Sequence, residues 1–192
     1  MVAMQQAHAS VAVAQDAGLV ERLKRNDSLA WEQCYDAWYP RMYAYAYRRT
    51  GDPSGAADIA SEVFLRALRD IGRYEDRGLP LEAWLYRIAH ARTADHLRHR
   101  RRHPTARLDA VAEQAILDGA NGVIERQAVM SAIQQLTDEQ QDVVLLRFYH
   151  ELPAETVAKV LGRNAGAVRA LQFRALRRLR TLLSEPQGPA GT

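Results

Sequence analysis

The 192-residue sequence contains one cysteine, Cys34, so no internal disulfide can form, and no Cys/His cluster has the spacing of a structural zinc site. A reducing cytoplasm is the compartment this implies, and no redox role follows. Runs of about eighteen apolar residues are also missing, which excludes a membrane-spanning helix. The opening "MVAMQQAHASVAVAQDAG" lacks a positive start and its apolar stretch is broken by Gln, His and Ser. It does not read as a signal peptide, and residues 1–15 are expected to form a loose tail. Alternating apolar and polar runs between hairpin turns are absent as well. What remains is helical periodicity in almost every segment between turn signals, which predicts an all-α fold. No nucleophile–base pair, phosphate-cradling loop or metal set is recognisable, so no catalytic site, cofactor or metal is expected.

Charge is plentiful but unevenly placed. The formal net charge is +3 and the pI about 9.2, only mildly basic, yet the basic residues gather in two blocks. One is "RHRRRH" at 98–103; the other is "RNAGAVRALQFRALRRLR" at 163–180, with six arginines and no acid. Between them, "LDAVAEQAILDGANGVIE" at 108–125 is acidic and carries no Lys or Arg. On a helical wheel of the C-terminal block, Val168, Leu171, Gln172, Ala175, Leu176, Leu179, Leu182 and Leu183 fall in one arc, a stripe fit to pack on a core. Arg169, Phe173, Arg174, Arg177, Arg178 and Arg180 fill the rest. No acid stands four residues away within the helix, so the arginines' partner is solvent or something anionic outside it.

Two helical domains are expected. In the first, residues 16–103, a helix starts near Asp16. A second runs from Ser28, as N-cap, to a break or kink at Pro40, and a third ends at Gly51. Tyr35, Tyr39, Tyr43 and Tyr47 recur every four residues; aromatic stripes at this spacing suit a core or a base-stacking platform, and they are assigned to the core. The next helix has Pro53 in its first turn and Ile59, Val63, Ala67 and Ile71 on its apolar side. After the loop "GRYEDRGLP", a long helix begins apolar with "LEAWLYRIAH" and ends basic. Residues 104–122 read as a linker. Residues 123–184 form the second domain, with a capping-box spacing at Thr137 and Gln140, and 185–192 a tail.

Within "PAETVAKVLGRNAGAVRALQFR", Ala158 is small enough for two helices to cross, Gly162 sits at the turn and Val168 packs the second helix on the first. Val157, Leu161 and Leu171 supply the supporting positions. This is helix-turn-helix spacing, and it gives the arginines a use: the N-terminal end of the second helix faces base edges while flanking arginines meet phosphates. The other basic block follows Trp84 and Tyr86. Aromatics beside positive charge suit single-stranded DNA, although Trp84 fits a core equally well. His96, His99 and His103 share helical spacing, but their arginine neighbours would repel a cation and no acid completes a metal set.

Three ordered stretches, "DIASEVFLRAL", "AWLYRIAHARTADHLRHRRR" and "LTDEQQDVVLLRFYHELPAETVAKVLGRNAGAVRALQFRALRRLR", together resemble a bacterial RNA polymerase sigma factor of the compact extracytoplasmic-function (ECF) group of the sigma-70 family. The likeness runs from Asp16 to Leu183. It implies a core-polymerase-binding surface at Asp58, Ser61, Glu62 and Arg66, with Phe64 as a core anchor. It also implies a minus-ten surface at Arg77, Trp84, Arg87, His90, Arg98 and Arg101, and a minus-thirty-five surface at Arg163, Asn164, Arg169, Phe173, Arg174 and Arg177. Ser61 replaces the family's usual Gln, and His90–Ala91 its common Arg-Asn pair. The loop from Arg73 to Pro80 resembles the element that captures a flipped non-template base, and the linker resembles the segment that threads toward the active centre, its acids mimicking nucleic acid there. No fused C-terminal regulatory domain is expected. The implied partners are core RNA polymerase, duplex and melted promoter DNA and, as often in this group, an anti-sigma factor. A monomer suits an asymmetric two-part site.

Two other readings explain part of the sequence. A helix-turn-helix regulator binding duplex DNA without polymerase accounts for 153–183, but leaves "DIASEVFLRAL" without a task. A decoy that binds a regulator and no DNA leaves the arginines without one.

Overall fold

The structure, a computed structural model, describes residues 18–76, 79–103 and 120–184, with the backbone alone for 120–126. Every regular element among them is helical, and the chain divides into two compact units, taken in turn below. The expected tails and most of the linker lie outside the described residues.

The first unit contains α1 (Leu19–Lys24), α2 (Ser28–Thr50), α3 (Pro53–Asp70) with a 3₁₀ turn at Ile71–Arg73, and α4 (Leu81–Arg102). Asp27, not Ser28, caps α2: its carboxylate accepts from the backbone N–H groups of Leu29 at 3.0 Å and Ala30 at 3.1 Å. The Arg22 guanidinium donates to the same carboxyl at 3.0 Å. That bond, followed by the Ala30 N–H, holds the Asp27 pKa below the usual carboxylate range. An aspartate here satisfies two of the orphan donors of the first turn and suits the positive end of the helix dipole.

Pro40 does not break the chain; α2 runs through it. Pro40 and Asp36, whose carbonyl loses its helical donor to the ring, are both exposed, so water can serve that carbonyl. Trp38 and Met42, fully buried on either side, hold both halves on one core. That core includes Tyr45, Leu85, Tyr86 and Val63, all sealed from solvent.

The four-residue tyrosine series borders the core rather than filling it: Tyr43 and Tyr47 pack, partly buried, against Ala46, Ala56 and Ile59, while Tyr35 stays outside. Tyr35 is 43% exposed, and Tyr39, Tyr43 and Tyr47 are half-buried. They form a ladder along the flank of α2: Tyr35 stacks on Tyr39 at 4.6 Å between centroids, and Tyr43 on Tyr47 at 6.0 Å. Tyr35 also leans on Phe64 of α3 at 4.9 Å. Cys34, 1% exposed, occupies the inner face instead, and burial pushes its thiol pKa up to about 12.

The rest of the described chain, which but for residues 159–162 is the second unit, contains α5 (Ala120–Gln134), α6 (Asp138–Val144) continuing into a π turn at Leu145–Tyr149, α7 (Ala154–Leu161) and α8 (Ala165–Ser184). α5 begins three residues before the expected boundary, taking in the Asn-Gly pair that was read as linker. The capping box forms as its spacing predicts: Gln140 N–H donates to the Thr137 hydroxyl at 3.4 Å, and Thr137 N–H to the Gln140 side chain at 3.2 Å. Buried Gln141 donates to the carbonyls of Leu136 at 2.9 Å and Gln134 at 3.2 Å, closing the end of α5. Ala132, Ile133, Leu136, Val144, Ala175 and Leu179 make a core from α5, α6 and α8. Leu176 and Leu183, expected in that stripe, are 43% and 47% exposed; the contact seam runs through Val168, Leu171, Ala175 and Leu179, and these two leucines lie to one side of it.

Candidate polymerase and promoter-DNA interfaces

Three surfaces carry the candidate residues. The first is the outer side of α3. Its inner side buries Ile59, Ala60, Val63, Phe64 and Ala67, which leaves Asp58 and Ser61 exposed and Glu62 half-buried on the other. At 100° per residue, Asp58, Glu62, Leu65 and Arg69 share an arc of about 60°. Leu65 is 63% exposed and Leu68 beside it 48%. Two large apolar residues flanked by acids are thus kept out of the core. The sequence reading missed both leucines, and the signal was there: they fall off the apolar stripe. Arg66 belongs elsewhere. It pairs with Asp70 at 3.5 Å and lines a shallow cleft between α3 and α4 together with Trp84, Arg87, Ile88 and Arg92.

The second surface is α4. Trp84 is only 7% exposed and its ring lies against Tyr74 at 5.0 Å. Of the two roles open to it, the structure gives it the core. Tyr86 is fully buried, edge-on to Tyr45 at 6.0 Å. Tyr74 donates its hydroxyl to the Leu79 carbonyl at 2.7 Å, and burial pushes its pKa up to about 12; this bond spans the loop that contains Arg77, a candidate lying outside the described residues.

Arg87 points to solvent. His90 is half-buried, with its Nδ1 3.3 Å from the Tyr45 hydroxyl. Further along, Arg98 pairs with Asp95, Asp95 also pairs with Arg92 at 2.9 Å, and Arg101 is exposed. The basic half of α4 is tied to the corner between α2 and α3. Arg100 donates to the Thr50 carbonyl at 2.9 Å, and His96 lies 3.6 Å from the Asp52 carboxylate. Gly55 makes this approach possible, since a Cβ there would sit 2.6 Å from both Asp52 and His96.

The third surface is the helix-turn-helix of α7 and α8. Val157, Ala158, Val168 and Leu171 are buried as the spacing requires. Gly162 takes φ +63°, the left-handed region, and the Arg163 N–H donates to the Ala158 carbonyl at 2.8 Å across the turn. Asn164 caps α8, its side-chain oxygen accepting from Ala167 N–H at 2.7 Å. Part of its hydrogen-bonding capacity is therefore spent inside the chain. Arg163 and Arg169 are also engaged, by Glu139 and Glu155 respectively; the anionic partner outside the helix is, for these two, the protein itself. Phe173, 68% exposed, stands with Arg174 and Arg177 on the solvent side.

Fold and surfaces together define a helical protein with a helix-turn-helix and, in a different part of the chain, a helix whose outer side carries acids around exposed leucines. The profile of Sigma-70 region 2 matches residues 34–103, and that of Sigma-70, region 4, matches residues 132–181. The ECF RNA polymerase sigma factor BldN of Streptomyces coelicolor is 38% identical over 172 residues, spanning 87% of this chain and 65% of that protein. The ECF RNA polymerase sigma factor ShbA of Streptomyces griseus is 32% identical over 182 residues, covering 87% of this chain and 94% of that protein. Among solved structures, the sigma factor RpoE of Bartonella quintana, in complex with the anti-sigma factor NepR, is similar in fold, with a TM-score of 0.68 and 21% identity over 81% of this chain and 98% of that one. The chain belongs to the ECF RNA polymerase sigma factors of the sigma-70 family.

Proposed function

We propose that this chain is a promoter-specificity subunit that docks on core RNA polymerase through the outer side of α3, holds a minus-ten element along α4 and a minus-thirty-five element at the N-terminal end of α8, and helps open the promoter duplex. Opening needs no catalytic group of its own: capture of unstacked bases and phosphates of one strand offsets the few kcal/mol of unpairing at each step. Its role is regulatory and its place of action is the cytoplasm, where polymerase and promoter are. An anti-sigma factor, the partner in the Bartonella complex, is proposed for this chain too. Among the described residues, no helix is long and apolar enough to cross a membrane.

The observation that carries this reading is the outer side of α3. Asp58, Leu65 and Leu68 are exposed and Glu62 half-buried on the side of α3 away from its core residues, and a regulator that binds duplex DNA alone leaves them idle. Acids around exposed leucines fit a basic, partly apolar partner helix. The test is capture of core polymerase by the full chain, followed by run-off transcription from a two-part promoter. Asp58→Lys with Glu62→Lys should abolish holoenzyme assembly while helical circular dichroism and Tm stay nearly unaltered. Co-elution of the double variant with core polymerase at wild-type affinity would reject the docking face.

A further inference from the structure

The two arginines at the entry of α8 are treated differently from the rest. Glu139, in the first turn of α6, holds Arg163, and Glu155, in the first turn of α7, holds Arg169. Arg174, Arg177, Arg178 and Arg180 have no acidic partner among the described residues. The pairing is confined to the end of the helix that faces base edges in a helix-turn-helix complex. It adds little to the fold: all four side chains are between 51% and 62% exposed, and ion pairs so wet contribute little to stability. A carboxylate offers a guanidinium the same pair of acceptor oxygens as a phosphate, and much the same geometry as the O6 and N7 edge of guanine. The two occupants exclude each other.

We propose that Glu139 and Glu155 are built-in competitors of DNA. Each occupies an arginine of the recognition helix until a phosphate or guanine displaces it, so that the free chain is held back from bulk duplex. This rests on the reading that the N-terminal end of α8 meets DNA. Because every duplex has to displace the same two carboxylates, the penalty applies to matched and unmatched sequences alike, and sequence preference is left to Phe173 and to arginine–base geometry. The same competition flattens the salt dependence, since an arginine already neutralised by an acid releases fewer counterions on binding.

The test compares wild type, Glu139→Gln, Glu155→Gln and the double variant, all as full chains without polymerase. Their affinities are measured by anisotropy for a short duplex selected from a random pool and for its scramble, across a salt series. Each Gln should tighten binding about two- to fivefold, the range of an exposed ion pair, with equal effect on both duplexes. The slope of log K against log salt should steepen by up to about one per acid, and Tm should hardly move. Glu155→Asp, which keeps the charge, should fall back toward wild type. Unchanged affinity in the double variant, with Arg163→Ala and Arg169→Ala still weakening binding, overturns the competition and leaves the DNA reading standing. Weaker binding by the Gln variants with preference lost at one base pair also overturns it, because the acids then touch DNA themselves. Arginine variants that bind as wild type overturn the DNA reading on which the proposal rests.

Discussion

Phe173 keeps 68% of its surface in water, although burying a ring of that size is worth roughly 1.5–3 kcal/mol. Its neighbours on that side of α8 are arginines, and a ring beside Arg169 can touch a thymine methyl or a sugar in the major groove. Phe173→Ala should leave Tm unchanged and weaken binding by about 1–3 kcal/mol at one minus-thirty-five base pair. Arg174→Ala should instead weaken all sequences alike and lower the salt slope by about one. A panel of single-base promoter variants separates the two effects. Asp27 calls for a different measurement. Its pKa is depressed in the fold, so the stability it adds is present above the pKa of the unfolded carboxyl and is lost as pH falls through the lower, folded value. Asp27→Ala should lower Tm at neutral pH, and Asp27→Asn, which retains the capping oxygen, should lower it less. Thermal melts should show the gap between Asp27 and Asn closing as the solution is acidified through the depressed pKa.

At the scale of elements, the turn between α7 and α8 depends on Gly162. A Cβ there would meet no neighbour, so the penalty of Gly162→Ala comes from the left-handed backbone alone, about 1–2 kcal/mol, and calorimetry should find Asn tolerated better than Ala at this position. Such local devices were legible from spacing: the capping box at Thr137, the Ala158–Gly162–Val168 crossing and the buried side of α3 each depend on residues a few positions apart. The tyrosine ladder was so only in part, since Tyr43 and Tyr47 touch the core and Tyr35 does not. A four-residue repeat drifts by about 40° per step and says nothing about which side of α2 faces inward, a matter settled by Trp38 and Cys34 one residue earlier. Nor do the acids on Arg163 and Arg169 show in the sequence, because 24 and 14 residues separate the partners. Trp84 fitted two roles until Tyr74 was seen packed against it. The π turn after α6 has no sequence signal that we can name; two residues past its end Glu151 takes φ +58°, and the chain then enters the helix-turn-helix.

For the whole molecule, the division of charge is the organising fact. Each unit carries its own basic surface, and the acids of α3 stand apart from both. On the function proposed above, the end of α4 acts on opened DNA; it is tied to the α2–α3 corner by Arg100 and His96, and Arg98 and Arg101 lie at the surface. Arg98→Ala with Arg101→Ala should reduce permanganate-reactive opening of a duplex promoter by holoenzyme and weaken capture of a pre-melted bubble, without altering assembly with core polymerase. An unchanged opening signal would return both arginines to solvent. The interior of the first unit bears on how such motions can be watched. Alkylating dyes need an accessible thiolate, and Cys34, buried with a pKa of about 12, offers almost none at neutral pH. A cysteine introduced at exposed Ser54 or Ser184, outside the candidate contact residues, would therefore take up a maleimide fluorophore with the native residue left in place, so docking on polymerase and seating on the promoter can each be followed in real time on an otherwise unaltered chain.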